Sequence, residues 1–219
     1  MRKPGDTRKK LLETAISLIW QSSYSGVGVA EICKQAGVTK GSFYHYFETK
    51  ADLFCEASQY YWENFKKDLD AVFSPSNTPL EQLQRLIEFI LEEQEREASA
   101  DNPVSGCPFF TSASQCNCGE EKVRQAAMEM SENALAYNTA LVRNLKADGL
   151  LNGDPDPQQV GRLINQYIQG LLLYGQVYRS LDRVRRDLRE GLYRLVDLKQ
   201  EYRLEAPRAG AGDSRRSVA

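Results

Sequence analysis

Eight consecutive residues, Thr39-Lys40-Gly41-Ser42-Phe43-Tyr44-His45-Tyr46, bring together two hydroxyls, an ammonium, two phenols and the only histidine of the chain. Hydroxyls and phenols donate to phosphate or base edges, and an ammonium pairs with phosphate or with guanine acceptors. Lys50 adds a second cation four residues further on. The other reactive groups are five cysteines, at 33, 55, 107, 116 and 118. Their odd number argues against a disulfide framework. The C-x8-C-x-C spacing from Cys107 to Cys118 is not a zinc pattern, and no histidine lies near it, so neither a metal nor a cofactor is expected. A histidine inside a run of exposed-type polar residues does not make a Ser-His or Cys-His catalytic pair. No glycine-rich phosphate loop, G-x-S-x-G run or recognisable carboxylate-pair motif is present.

Charge distribution points the same way. Residues 1–50 carry eight Lys/Arg against four Asp/Glu, a net +4, so the remaining residues carry −6 of the overall −2. A basic head on an acidic body suits a polyanionic partner that touches one end only. Hydrophobic residues make up 42% of the 219, enough for a core, and no apolar run approaches the roughly 20 residues that span a bilayer. No apolar stretch follows Met1-Arg2-Lys3, so a cytoplasmic protein without membrane contact is expected.

The elements that must position these groups are helical. Apolar residues recur at three- and four-residue steps, and no strand-like alternation occurs. The spacing predicts helices over about Thr7–Ser22, Val29–Ala36 and Lys40–Phe47. A longer one follows Thr49 and ends at Ser74–Pro79, and the next runs over Leu80–Leu91. Cys107–Gln115 reads as short, Val123–Leu145 as long. The last two start at Asp156 or Pro157 and at Leu181. The expected fold is all-α, with about nine helices. Residues 1–50 form one unit, 51–205 a second, and 206–219 an Ala/Gly/Arg/Ser-rich tail without an apolar face.

In the first unit Gly37-Val38-Thr39 has the chemistry of a tight inter-helix turn. Gly37 permits a left-handed backbone, Val38 plugs the corner and Thr39 caps the following helix. That helix presents small and polar residues at its start and turns Phe43 and Phe47 inward. The run from Ile32 through Gly37-Val38-Thr39-Lys40-Gly41-Ser42-Phe43-Tyr44-His45-Tyr46-Phe47 to Leu53 resembles the DNA-binding signature of the TetR family of bacterial repressors. The resemblance extends over about 45 residues and implies a helix-turn-helix head. It places Lys40 and Gly41, with Thr39 and Ser42 beside them, where the family reads bases. Tyr44, His45 and Tyr46 fall where it contacts phosphates or base edges, and Lys50 where it grips a phosphate. Val27-Gly28-Val29 departs from the pattern, because many members place Thr or Ser at the start of the second helix. Gly28 is a weaker cap without a hydroxyl contact. The implied partner is double-stranded operator DNA, bound by a homodimer whose reading helices lie roughly 34–36 Å apart.

The resemblance also implies a body that dimerises through its last two helices and binds a small-molecule effector. The stripe Leu181, Val184, Leu188, Leu192 and Leu195, with Leu171, Leu172, Leu173, Gly170 and Gly175, is the expected dimer seam. The central helices are rich in aromatics, as ligand cavities are. Trp62, Phe110, Tyr137 and Tyr167, with Cys107, are the expected effector-binding or sensing residues. Gly106-Cys107 resembles a subgroup some of whose members sense electrophiles or oxidants here. A cysteine opening a helix has a lowered thiol pKa. The expected function is a repressor released from its operator by a small-molecule or thiol-reactive effector. Two alternatives stand beside it, a redox protein using Cys116 and Cys118 and a helical scaffold that never binds DNA.

Overall fold

The computed structural model describes residues 4–21, 24–99, 102–115 and 121–204. The proposed tail at 206–219, Cys116 and Cys118 lie outside the described residues. Among the described residues the regular structure is helical: α1 (Pro4–Gln21), α2 (Val29–Ala36), α3 (Lys40–Tyr46), α4 (Lys50–Val72), α5 (Pro79–Arg96), α6 (Pro108–Gln115), α7 (Glu121–Ala147), α8 (Pro157–Tyr178) and α9 (Leu181–Leu195). A 3-10 turn (Gln200–Tyr202) follows, and one antiparallel bridge joins Leu151 to Leu198, a detail that helical periodicity cannot reveal.

Local chemistry sets the helix ends. Thr49 and Thr78 each open a capping box. The Thr78 side chain accepts from Glu81 N, and Glu81 Oε2 accepts from Thr78 N at 2.7 Å. Thr49 and Asp52 reciprocate in the same way at the start of α4. Each box satisfies two of the four N–H groups that a helix start leaves unpaired. Asp156 caps α8 ahead of Pro157, accepting from Gln158 N at 3.0 Å.

Three groups of buried side chains result. In the head, Leu11, Leu12, Ala15 and Leu18 of α1 meet Ile32, Cys33 and Ala36 of α2, Phe43 and Phe47, and Leu53 and Ala57 of α4. The body core joins α5, α7, α8, α9 and the C-terminal half of α4. Between them lies a small group shared by both, made of Ile19, Tyr24, Phe54, Phe109, Val123 and Ala126. Helix α4 therefore runs through the head, the bridge and the body.

The expected α9 seam is corrected by burial. Val184, Leu188 and Leu192 are fully buried within a single chain and belong to its own core, while Leu181 and Leu195 are partly buried against it. Most of the large apolar side chains left open lie on α8, where Leu163, Leu173, Tyr174, Val177 and Tyr178 are exposed. Periodicity reports an apolar face without saying what covers it. Gly175 does serve close approach, since a Cβ there would stand 2.4 Å from Val184 Cγ2, whereas Gly170 faces open space.

Candidate nucleic-acid interface and effector cavity

At the turn between α2 and α3, Gly37 adopts φ 62, ψ 39. Its N–H reaches Lys34 O at 3.1 Å and the Val38 N–H reaches Cys33 O at 3.0 Å, closing α2. A side chain at that φ would be strained by about 1–2 kcal/mol. Thr39 then caps α3, its Oγ1 accepting from Ser42 N at 3.1 Å. A cap of this kind is worth about 1 kcal/mol. Phe43 and Phe47 are buried and fix the rotation of α3 about its axis.

That rotation decides what α3 shows to solvent. Thr39, Lys40, Gly41, Tyr44 and His45 are exposed and Ser42 is half-buried beside them. Tyr44 is 56% exposed, resting edge-on against Phe43 with ring centroids 5.2 Å apart. Tyr46 is partly buried against the head core, which leaves it less to offer a partner. Gly28 starts α2 without a side-chain cap, and its carbonyl accepts from Glu31 N and Ile32 N.

Lys50 stands apart from the other candidates. Its ammonium donates to Tyr24 O at 2.9 Å and Val27 O at 3.1 Å, and lies 4.0 Å from the centre of the Tyr24 ring. These contacts use two of three N–H donors to hold the α1–α2 loop. The resemblance gave Lys50 a phosphate role and did not suggest this one.

The second candidate site is a cavity of about 150 Å3 where α1, α4, α5, α6, α7 and α8 meet. Trp20 enters from α1, Tyr61, Trp62 and Phe65 from α4, and Phe89, Glu93 and Gln94 from α5. Cys107, Phe109 and Phe110 come from the α6 segment, Met130, Tyr137 and Asn138 from α7, and Asn165 and Gln169 from α8. The structure thus gathers Trp62, Cys107, Phe110 and Tyr137 as expected. Tyr167 is the exception. It points between α8 and α9, where its hydroxyl donates to Asp187 O at 2.6 Å, and it does not line the cavity. Two further aromatics of the body helices also stay outside it: Tyr60 turns to Glu13, and Tyr174 lies on the surface against Tyr178.

Cavity electrostatics correct the expectation for Cys107. The thiol does open α6, and N–H groups of Phe109 and Phe110 and the Gln169 amide favour its anion. Burial outweighs them and pushes the thiol pKa up. Its segment is held by Gln94, whose amide accepts from Gly106 N at 2.8 Å and donates to Gly106 O at 3.3 Å. Burial also pushes the Glu93 carboxyl up, against the pull of Arg96 and of the Tyr61 hydroxyl that donates to Glu93 Oε2 at 3.3 Å. The Tyr137 hydroxyl, pushed up to about 12 by burial and by the Asp70 carboxylate it donates to, stays neutral.

Sequence reasoning missed Trp20, Glu93, Gln94, Asn138 and Gln169. A signal for three of them exists. Glu93 and Gln94 continue the apolar stripe of Leu83, Leu86, Ile87 and Ile90, and Asn138 interrupts Ala134, Leu141 and Leu145. A polar residue at a core position is the informative exception to burial rules.

No helix among the described residues is long and apolar enough to cross a membrane, and no group of three or more metal-ligating side chains occurs among them.

Comparison with known proteins agrees with this architecture. Residues 11–57 match the family described as bacterial regulatory proteins, tetR family, and residues 79–190 the tetracyclin repressor-like C-terminal domain. The transcriptional regulator AcuR of Cereibacter sphaeroides is 31% identical over 150 residues, covering 68% of this chain and 67% of that one. A crystal structure of a regulatory protein TetR from Rhodobacter sphaeroides superposes with a TM-score of 0.74 at 26% identity, covering 86% of this chain and 96% of the other. The crystal structure of the reduced form of E. coli NemR has a TM-score of 0.70 at 23% identity, covering 84% and 94%, a likeness of fold.

Proposed function

Because this chain belongs to the TetR family of bacterial transcriptional regulators, and so is a regulator rather than an enzyme, we propose that it represses by holding operator DNA as a homodimer and lets go when an effector fills its cavity. The observation that carries the reading is the outward face of α3. Thr39, Lys40, Gly41, Tyr44 and His45 stand exposed on a helix locked in rotation by Phe43 and Phe47. Lys40 and Gly41, with Thr39 and Ser42, address base edges, while Tyr44, His45 and Tyr46 address the backbone or neighbouring edges. Lys50 contributes its remaining N–H to a phosphate while bracing the loop. Phosphate contacts give most of the affinity and make it fall with salt, and base contacts give the selectivity.

The second copy covers the open face of α8. Val177, 73% exposed, and Leu173, 56% exposed, supply the apolar surface that supports this docking. Val177→Glu is expected to yield a monomer by light scattering, with operator affinity lost in parallel.

Effector release rests on the cavity's position. Its wall includes Trp20 of the head and Phe109 of the group shared by head and body, so an occupant touches both units. A second form of release, by a thiol-reactive effector, is favoured by one observation, that Cys107 lines the same cavity. An electrophile small enough to enter would alkylate Sγ and leave its adduct in the effector position.

The deciding experiment is titration of the protein on DNA flanking its own coding region, with Tyr44→Ala beside wild type. Folded Tyr44→Ala that binds as tightly as wild type overturns the DNA-reading assignment. Release by an enone in Cys107→Ser equal to wild type disposes of the thiol route and leaves the cavity reading standing.

A further inference from the structure

Lining chemistry of the cavity selects among effectors. Its wall contains aromatic rings from five helices and one carboxylate, Glu93, and among the described lining residues no lysine or arginine. Glu93 is 6% exposed. Its Oε2 accepts from the Tyr61 hydroxyl, but its Oε1 makes no hydrogen bond. Oε1 has only an ion-pair contact with Arg96, whose own side chain is 55% exposed. A carboxylate held out of water needs a cation or donors, and the one cation at Oε1 is the guanidinium of an arm that reaches in from the surface.

From these observations, and resting on the reading that the cavity is the effector site, we infer that it takes a small aromatic amine in its protonated form, the ammonium at Glu93 Oε1 and the ring among Tyr61, Phe65 and Phe89. Three further features support this class. Glu93 lies in the last turn of α5, where unpaired carbonyls add negative potential that attracts cations. Glu97 and Asp68 also bear on Glu93, so Arg96 alone opposes the negative field there. Electron-rich ring faces attract an ammonium in addition to the carboxylate.

Size and polarity narrow the class. A cavity of about 150 Å3 accommodates a single ring with a short arm. An anion finds no lining cation, and the N–H groups at the start of α6 are taken up by the Cys107 sulfur. A neutral alcohol of the same shape gains the rings and can donate one hydrogen bond to Oε1, but it brings no charge to the carboxylate. An entering ammonium competes with Arg96 for Oε1, and the guanidinium it displaces sits on a side chain 55% exposed, with water at hand.

Isothermal titration of the full-length protein with three isosteric probes tests this: 2-phenylethylammonium, 2-phenylethanol and phenylacetate. The ammonium is expected to bind at least tenfold more tightly than either of the others. Glu93→Gln keeps the acceptor for Tyr61 and is expected to weaken the ammonium at least tenfold and the alcohol by much less. Arg96→Ala is expected to strengthen the ammonium. Equal binding of ammonium and alcohol, or an ammonium affinity untouched by Glu93→Gln in a folded protein, overturns the assignment and leaves the cavity as a site for neutral ligands. Failure of all three probes to bind also overturns it. The wider effector reading is judged separately, by whether blocking the cavity with Ala134→Trp, at a residue of α7 that lines it, abolishes effector-driven operator release.

Discussion

Replacing Lys40 with glutamine isolates one charge on α3. Lys40 is exposed at the first position of that helix. A cation there opposes the helix dipole, so its loss costs no stability and gains a few tenths of a kcal/mol at most. A base-edge contact of this type is worth about 1–3 kcal/mol. A homodimer presents the residue twice, so even the lower bound gives about 2 kcal/mol, or roughly 30-fold weaker operator binding. Fluorescence anisotropy with labelled operator at several salt concentrations measures both affinity and its salt slope. If Lys40 reads bases, discrimination between operator and scrambled DNA collapses. If it pairs with phosphate, the slope falls by about 1.8, twice the roughly 0.9 counterions released per contact. A folded Lys40→Gln protein with unchanged affinity, discrimination and slope would refute the placement of α3 in the groove.

Four other outcomes are expected. Tyr193→Phe removes a buried hydroxyl that makes no hydrogen bond among the described residues, and is expected to leave stability unchanged or raise it by about 1 kcal/mol in urea denaturation. Gly191→Ala places a Cβ 1.9 Å from the Tyr167 hydroxyl, displacing it from Asp187 O, and a loss of about 1–3 kcal/mol is expected by the same measurement. Lys122 and Thr49 hold the Asp52 carboxyl below its usual range. Its contribution to stability is thus present above the unfolded value of about 3.9 and fades as pH falls through the lower folded value. The wild-type advantage over Asp52→Asn in thermal melts should therefore vanish in strong acid. Phe109→Leu keeps apolar volume but loses the rings' contacts with Phe54 and Tyr61, so effector binding should persist while the effector-induced drop in operator affinity shrinks. An undiminished drop would remove Phe109 from the coupling.

Helix order was legible because helices carry their own periodicity. Gly37, Thr39, Thr49 and Asp156 mark their ends through local chemistry that acts within four residues. The outward face of α3 was legible for the same reason, since Phe43 and Phe47 at i, i+4 settle which side turns in. Facts that depend on remote chain were not. Tyr167 looked like a cavity residue because α8 is apolar on several sides. What draws it away is a space opposite Gly191 and a carbonyl at Asp187, some twenty residues on. The α9 stripe fits a dimer seam or an internal core equally well until α5 and α8 are seen to cover it. The rise in the Cys107 pKa likewise follows from burial by several helices, which outweighs the helix-start effect that the sequence displays.

Few side chains separate the cavity from the head. Phe109, in the cavity wall, packs on Phe54 at 5.6 Å, and Phe54 packs on Tyr24 at 5.1 Å. Tyr24 in turn receives the Lys50 ammonium on both its carbonyl and its ring, at the junction of α3 and α4. A second route bypasses the aromatics. Lys122 of α7 pairs with Asp52 at 2.7 Å, and the Cys55 thiol donates to Lys122 O at 3.3 Å, so the start of α7 is tied to the first two turns of α4. Carrying a population from 1:99 to 99:1 requires about 5.5 kcal/mol of differential affinity. A single-ring ligand meets that demand only if the released state improves most of its contacts at once. Glu93 stands on α5 and Tyr61 and Phe65 on α4, so a shift of α4 against α5 would change the ligand's contacts with all three. On the proposed reading, α4 carries Lys50 at one end and Tyr61 and Phe65 at the cavity, so a movement of α4 on release would link the two equilibria.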